Sequence, residues 1–289
     1  MNAVLRFIFN GLQQFHDKNC QPFMKTLTLI FIVASTALTG CVHQGYFLSP
    51  FQANNQPYKA IPMVSDSVHR SVYAATGISI GSANQSLSDV VFTFQGSVHQ
   101  AHTFENVQVF YGGTGVIGNY FLQDYYSYNF QGSTNPNVPI TSRGNRYFAG
   151  LGAFGGANIV IPFATGSEWR VLGIETNFQR EFGDYQALRL KLPDSSAQAI
   201  TRDKYFHTIG FTTNVIKKFR KSGNSFGYKC GFYIGTSRTQ RLDNYYGTNL
   251  LPMYISNTLH LTRERVTGFV QINAGSYALN FQTGINVKL

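Results

Sequence analysis

Tyr277-Ala278-Leu279-Asn280-Phe281-Gln282-Thr283-Gly284-Ile285-Asn286-Val287-Lys288-Leu289 is the stretch whose reading decides the fold. Its odd positions are almost all apolar, and its even positions carry Asn280, Gln282, Gly284, Asn286 and Lys288. Strict alternation of this kind belongs to a β-strand with two unlike faces. Strands of soluble sheets commonly run about five or six residues, and this run is roughly twice that. A long strand with one wholly apolar face calls for a deep apolar surrounding, which a bilayer supplies.

The same pattern recurs upstream. Ser71 to Asn84, Val90 to Thr103, Asn106 to Phe121, Tyr147 to Phe163, Trp169 to Phe182, Tyr205 to Phe219, Phe226 to Arg238 and Arg265 to Asn273 all read as strands. Phe226, Tyr228, Cys230, Phe232 and Ile234 form one face of their strand, and Gly227, Lys229, Gly231, Tyr233 and Gly235 form the other. With the last stretch these segments make nine, whereas single-chain bacterial barrels have an even strand number. Tyr185 to Leu192, where Leu188, Leu190 and Leu192 alternate after the turn signal Gly183-Asp184, is the predicted tenth. The expectation is an all-β, antiparallel transmembrane barrel of about ten strands, within a range of eight to twelve, over residues 69–289. Leu122 to Arg146 then becomes the main extracellular loop, and Thr239 to Thr258 an unusually long periplasmic connection.

Ahead of the barrel, Met24-Lys25 begins a short basic region, Leu27 to Leu38 is an apolar core, and Leu38-Thr39-Gly40-Cys41 is a small-residue site ending in cysteine. This reads as a signal peptide over residues 1–40, with Met24 the expected true start. The apolar core is too short to cross a bilayer of about 30 Å as a helix. Residues 41–68, with Pro50, Pro57, Pro62 and several Asn and Gln, show no sustained period. They are read as a linker to the barrel, with a plug packed inside the lumen as the alternative.

The tetrad Leu38-Thr39-Gly40-Cys41 resembles the bacterial lipobox, and with the strand pattern the chain is similar to lipid-anchored outer-membrane barrel proteins. The resemblance implies covalent diacylglycerol and an amide-linked acyl chain on Cys41. With Val42 at the next position, the aspartate that retains some lipoproteins in the inner membrane is missing, and because no acidic cluster follows Cys41 the anchor is expected to face the periplasm. Location in the outer membrane of a Gram-negative-type cell follows. With Cys41 lipidated, Cys230 is left without a disulfide partner, and no cysteine metal site remains.

Little in the sequence points to chemistry. His99 and His102 are three apart, which on a strand places them on opposite faces, so they cannot share a metal. Glu175 is a strand residue without a His or Ser assigned to it by spacing, and Asp89, Glu105, Asp124, Asp184, Asp194, Asp203 and Asp243 fall mostly in turns. The glycine runs at 112–115 and 150–156 lack the lysine and serine of a phosphate loop. No catalytic residue, metal or cofactor beyond the lipid on Cys41 is expected.

The formal net charge is +10, with Lys and Arg scattered through turns, and an exported lipoprotein is not expected to meet nucleic acid. The densest cluster, Lys217, Lys218, Arg220 and Lys221, is the candidate contact for lipid or lipopolysaccharide phosphates or for another outer-membrane protein. The predicted function is a non-enzymatic structural or accessory subunit of a membrane complex, or a narrow channel. Side chains such as Lys229, Tyr233, Asn280 and Gln282 are expected to fill the lumen. The alternatives are a soluble, periplasm-facing β-sandwich lipoprotein that binds a partner or ligand, and a lipid-modifying barrel enzyme, for which His99 and His207 are the histidines to test.

Overall fold

The computed structural model describes residues 46–52, 56–66, 69–83, 89–123, 125–126, 139–141, 143–163, 166–192, 199–219, 223–237, 240–241, 251–275 and 278–289. The chain divides into two units, Met1–Cys41 and Val42–Leu289. All described residues belong to the second. The predicted signal peptide, Cys41, Arg220 and Lys221 lie outside the described residues.

The barrel strands are β1 (Arg70–Ala83), β2 (Asp89–Thr103), β3 (Val107–Leu122), β4 (Gly144–Pro162), β5 (Glu168–Phe182), β6 (Tyr205–Lys218), β7 (Ser225–Gly235), β8 (Met253–Arg263), β9 (Val266–Gly275) and β10 (Ala278–Lys288). Each pairs antiparallel with its sequence neighbours, and β10 returns to β1 through pairs such as Phe281 with Ile80, closing one barrel of ten strands. A single closed sheet overturns the two-sheet sandwich alternative.

Alternation sorts the side chains as expected. On β10, Leu279, Phe281 and Ile285 point outward and are exposed, while Asn280, Gln282 and Asn286 are buried in the lumen. Around the wall, Ile78, Phe94, Val98, Leu151, Ile174, Phe211 and Leu259 continue the outward apolar band. The lumen wall instead carries Gln95, His99, Gln108, Asn177, Gln179, Thr258 and Gln271. Outward Tyr147 and Tyr205 lie near one rim of this band, and Trp169 and Tyr111 near the other. An apolar belt between aromatic girdles, around a polar interior, is the pattern of a barrel that crosses a bilayer.

The count of ten agrees with expectation, but one member differs. Residues from Tyr185 onward form a helix, α1 (Asp184–Lys191), that is not a member of the barrel sheet. Gly183, at φ 115°, breaks the strand in a conformation that L side chains rarely adopt. Gln, Ala, Leu, Arg and Lys then favour a helix, with Asp184 in its first turn and Arg189 and Lys191 in its last. Its buried positions Tyr185 and Arg189, with Leu192 just beyond, follow helical spacing, which the Leu alternation disguised. The true tenth strand is β8, which begins at Met253 inside the stretch expected to be a long periplasmic connection, Thr239 to Thr258, and runs on to Arg263. Replacing one with the other corrects the awkward topology.

The barrel therefore has two unlike ends. At one, which we call the turn end, β1 begins, β10 ends, and connections are short: 104–106, 163–167, 219–224 and 264–265. At the other, the loop end, the connections include 123–143, 183–204 and 236–252.

Candidate functional site: the lumen and the segment inside it

The lumen is occupied by the chain's own residues 46–52 and 56–66, from the segment expected to be a linker and here together called the strap. It takes the alternative placement, a plug. The strap starts at the loop end, where Tyr46–Phe47 pairs in parallel with Ala199–Ile200 and Thr201 N donates to Phe47 O at 3.0 Å. Ser49 donates its hydroxyl to Glu181 at 2.5 Å, and the Thr201 hydroxyl donates to Gln52 Oε1 at 2.6 Å. The Phe51 ring meets Phe148 edge-on at 5.8 Å and stacks on Phe206 at 6.3 Å. A Cβ on Gly150 of the wall would strike the Phe51 ring, so glycine there makes the room. Phe47, Phe51, Phe148, Tyr185, Leu192, Ile200 and Phe206 share one buried cluster that caps this end. Burial there pushes the Tyr185 phenol well above its ordinary pKa, and its ring stacks on Tyr120 at 3.9 Å.

Lower down, an irregular backbone must find hydrogen-bond partners in a space walled off from bulk water, and the polar wall provides them. Gln271 donates to Gln56 O at 2.8 Å. Asn286 both donates to Tyr58 O and accepts from Ala60 N, each at 3.3 Å. His99 Nε2 donates to Ala60 O at 2.8 Å, and Arg170 to Ile61 O at 3.1 Å. Thr103 and Gln108 both donate to Pro62 O at 2.9 Å. Val64 N donates to Glu168 at 2.8 Å, and Lys218 then joins Asp66 at 2.9 Å at the turn end. Tyr58 stacks on His260 at 4.3 Å, and Lys59 lies 4.3 Å over the Phe154 ring.

Three buried carboxylates of β5 are paired with cations. Glu168 meets Arg170 at 2.8 Å, Glu181 meets Arg189 at 2.5 Å, and Glu175 accepts from Lys229 at 2.5 Å and from the Tyr233 hydroxyl at 2.7 Å. Glycines at 210 and 231 leave the space that the Tyr233 ring fills. Lys229, Tyr233, Asn280 and Gln282 are all buried in the lumen, as expected.

Of the basic cluster, Lys217 and Lys218 sit at the turn end of β6, with Lys218 engaged by Asp66. His99 faces the lumen and His102 the outer side, so they are not brought together. His207 approaches the Thr176 hydroxyl at 2.7 Å on the outer wall. Glu175 has Lys229 and Tyr233 as partners instead of a histidine or serine. Among the described residues no group of three His, Cys, Asp or Glu is placed to hold a metal. Cys230 is a free thiol on the outward side of β7.

The strap grip was missed in the sequence, as were Glu168, Arg170 and Glu181. Their signal was present but out of phase. A bulge in β5 at Val171 shifts the register, so Glu168 and Arg170 face the lumen at even positions and Glu175, Asn177, Gln179 and Glu181 at odd ones.

Fold and site together define a closed, ten-stranded barrel of membrane-spanning type with a self-occupied lumen. No family model matches the chain, and no curated protein matches it. Among solved structures, it is similar to the β domain of the Bordetella autotransporter BrkA at 8% identity, over 77% of this chain and 100% of that one, with a TM-score of 0.38. An outer membrane channel from Pseudomonas putida F1 shares 10% identity over 84% of this chain and 100% of that one, with a TM-score of 0.35. The KdgM porin shares 12% identity over 74% of this chain and 98% of that one, with a TM-score of 0.26.

Proposed function

We propose that the chain is an integral outer-membrane barrel lipoprotein whose lumen is stoppered by its own strap, and that it serves as a non-enzymatic structural or accessory component instead of an open channel. The observation that carries this reading is the strap, gripped along its length by wall side chains from Glu181 and Thr201 at the loop end to Glu168 and Lys218 at the turn end. The outward apolar band and its aromatic girdles support a bilayer as the surrounding medium. The tetrad ending in Cys41 supports lipidation. In this reading the turn end faces the periplasm, because both barrel termini and the short turns lie there. The Lys217, Lys218, Arg220 and Lys221 cluster then meets inner-leaflet phospholipid phosphates or a periplasmic partner, and lipopolysaccharide contacts fall to the loop end.

Two measurements test this. Purified protein and a Cys41→Ser variant are run on a gel before and after boiling. Both are expected to migrate faster when unboiled and to remain with membranes; a freely soluble variant with no shift overturns the integral barrel. In planar bilayers the full chain is expected to give no steady conductance, and sustained ohmic steps from the wild type would sink the stoppered-lumen reading.

A further inference from the structure

The strap has a direction. Its contacts pass in order from Ala199–Thr201 and Glu181 at the loop end, through Gln271 and Asn286, to Thr103, Gln108, Glu168 and Lys218 at the turn end. The chain thus runs down the lumen once and continues into β1 at the turn end. Given the outer-membrane reading, on which this inference rests, it reaches Tyr46 from outside the cell.

We propose that the amino-terminal end of the mature protein is presented at the cell exterior, so that a lipid on Cys41 anchors in the outer leaflet. This reverses the orientation expected from the sequence, a periplasm-facing anchor. Covalent reach makes the argument. Cys41 precedes Tyr46 by five residues, which when fully extended span at most about 18 Å. The apolar band of such a barrel is about 25 Å tall, so a cysteine tethered at the loop end does not reach the periplasmic leaflet. Returning through the lumen is barred by the strap itself. A path along the outer wall would leave backbone N–H and C=O groups unpaired in hydrocarbon, at several kcal/mol each. The outer leaflet needs neither path. The barrel therefore acts as a sleeve through which its own lipidated end is displayed.

The experiment places one epitope tag at a time in the full chain: between Gly45 and Tyr46, within 123–143, or after Leu289. Antibody binding is compared on intact and outer-membrane-permeabilised cells, with heat modifiability confirming that each tagged barrel is folded. The expected result is binding to intact cells for the first two tags, and at least a tenfold rise on permeabilisation for the third alone. If the 123–143 tag is exposed but the tag before Tyr46 appears only on permeabilisation, the threading is overturned while the barrel orientation stands. If instead the tag after Leu289 is exposed and the 123–143 tag is hidden, the orientation itself is wrong and this inference falls with it. Against the risk that a tag disturbs the strap, an untagged Phe47→Cys/Ile200→Cys pair in a Cys230→Ser background is expected to form a disulfide detectable by mass spectrometry of digested protein. Its failure to form in a folded, heat-modifiable barrel also counts against the threading.

Discussion

The two halves of the strap are held by different mixtures of side-chain and backbone contacts. Near the loop end, beyond the backbone pairing of Tyr46–Phe47 with Ala199–Ile200, its side chains do most of the binding: Phe47 and Phe51 enter an aromatic cluster, and Ser49 and Gln52 meet Glu181 and Thr201. From Gln56 to Val64 mostly its backbone is bound, and the wall supplies the side chains. The upper half depends on what the strap's sequence is. The lower half depends more on what the barrel's sequence is, although Lys59 lies over Phe154 and Tyr58, Ala60 and Ile61 pack into a second buried cluster with Tyr73, Phe110, Phe154 and Phe269 of the wall. Changes in the strap should therefore weigh most above Gln52, and changes in the wall most below it.

Arg170 offers the largest break. It is buried, pairs with Glu168 and donates to Ile61 O. Arg170→Met leaves Glu168 as a buried charge without its cation, at an expected cost of about 3–5 kcal/mol, read as a fall in the urea midpoint of the folded band in detergent. Adding Glu168→Gln removes the stranded charge and should recover much of the loss. If the double variant is as unstable as the single, the bond to the strap carbonyl outweighs the ion pair. Second is Phe51→Ala, where removing a buried ring between Phe148 and Phe206 is expected to cost about 3 kcal/mol. Val64→Ala, where Glu168 holds the strap through the half-buried residue's amide, should cost clearly less in the same assay. Equal losses would erase the proposed difference between the halves.

How much of this was legible beforehand follows from the periods involved. Strands such as β7 and β10 have two chemically distinct faces over their whole length, and their inward and outward sets were readable residue by residue. In β5 the bulge at Val171 breaks the phase, so Glu168 and Arg170 did not line up with Glu175 and Glu181. In β8, Asn257 interrupts the outward apolar row; it accepts from the Tyr228 hydroxyl at 2.5 Å, a cross-strand bond invisible to a one-dimensional pattern. The strap was the least legible part. It has no period because its lower half is recognised through carbonyls and amides, which every residue carries apart from the missing N–H of proline. The sequence signal for such a segment lies in its recipients, the buried Asn, Gln and His of the lumen wall.

Asn286 tests that last idea at moderate cost. It touches the strap only through backbone, donating to Tyr58 O and accepting from Ala60 N. Asn286→Ala leaves both groups short of a partner, an expected loss of about 1–3 kcal/mol. Hydrogen exchange should locate it: the Ala60 amide should exchange at least tenfold faster, while amides at the loop end, such as Phe51, which donates to the Ser49 hydroxyl, stay as they were. Acceleration along the whole strap would mean that the two halves are one cooperative unit.

The smallest effect belongs to the clasp at the turn end. Lys218 and Asp66 are both partly exposed, with side chains 27% and 34% accessible, and solvent screening limits such a pair to roughly 0.2–1 kcal/mol. Lys218→Met should barely move the urea midpoint, and whatever it moves should shrink further in 1 M salt. It should nevertheless loosen Ser65 and Asp66, because Lys218 Nζ bonds both. A spin label at position 65 is expected to sharpen in the variant while one at position 61, under Arg170, is unchanged. Should the label at 61 sharpen as well, the grip of the wall on the strap backbone depends on the clasp, and the lower half is not held by the lumen side chains alone.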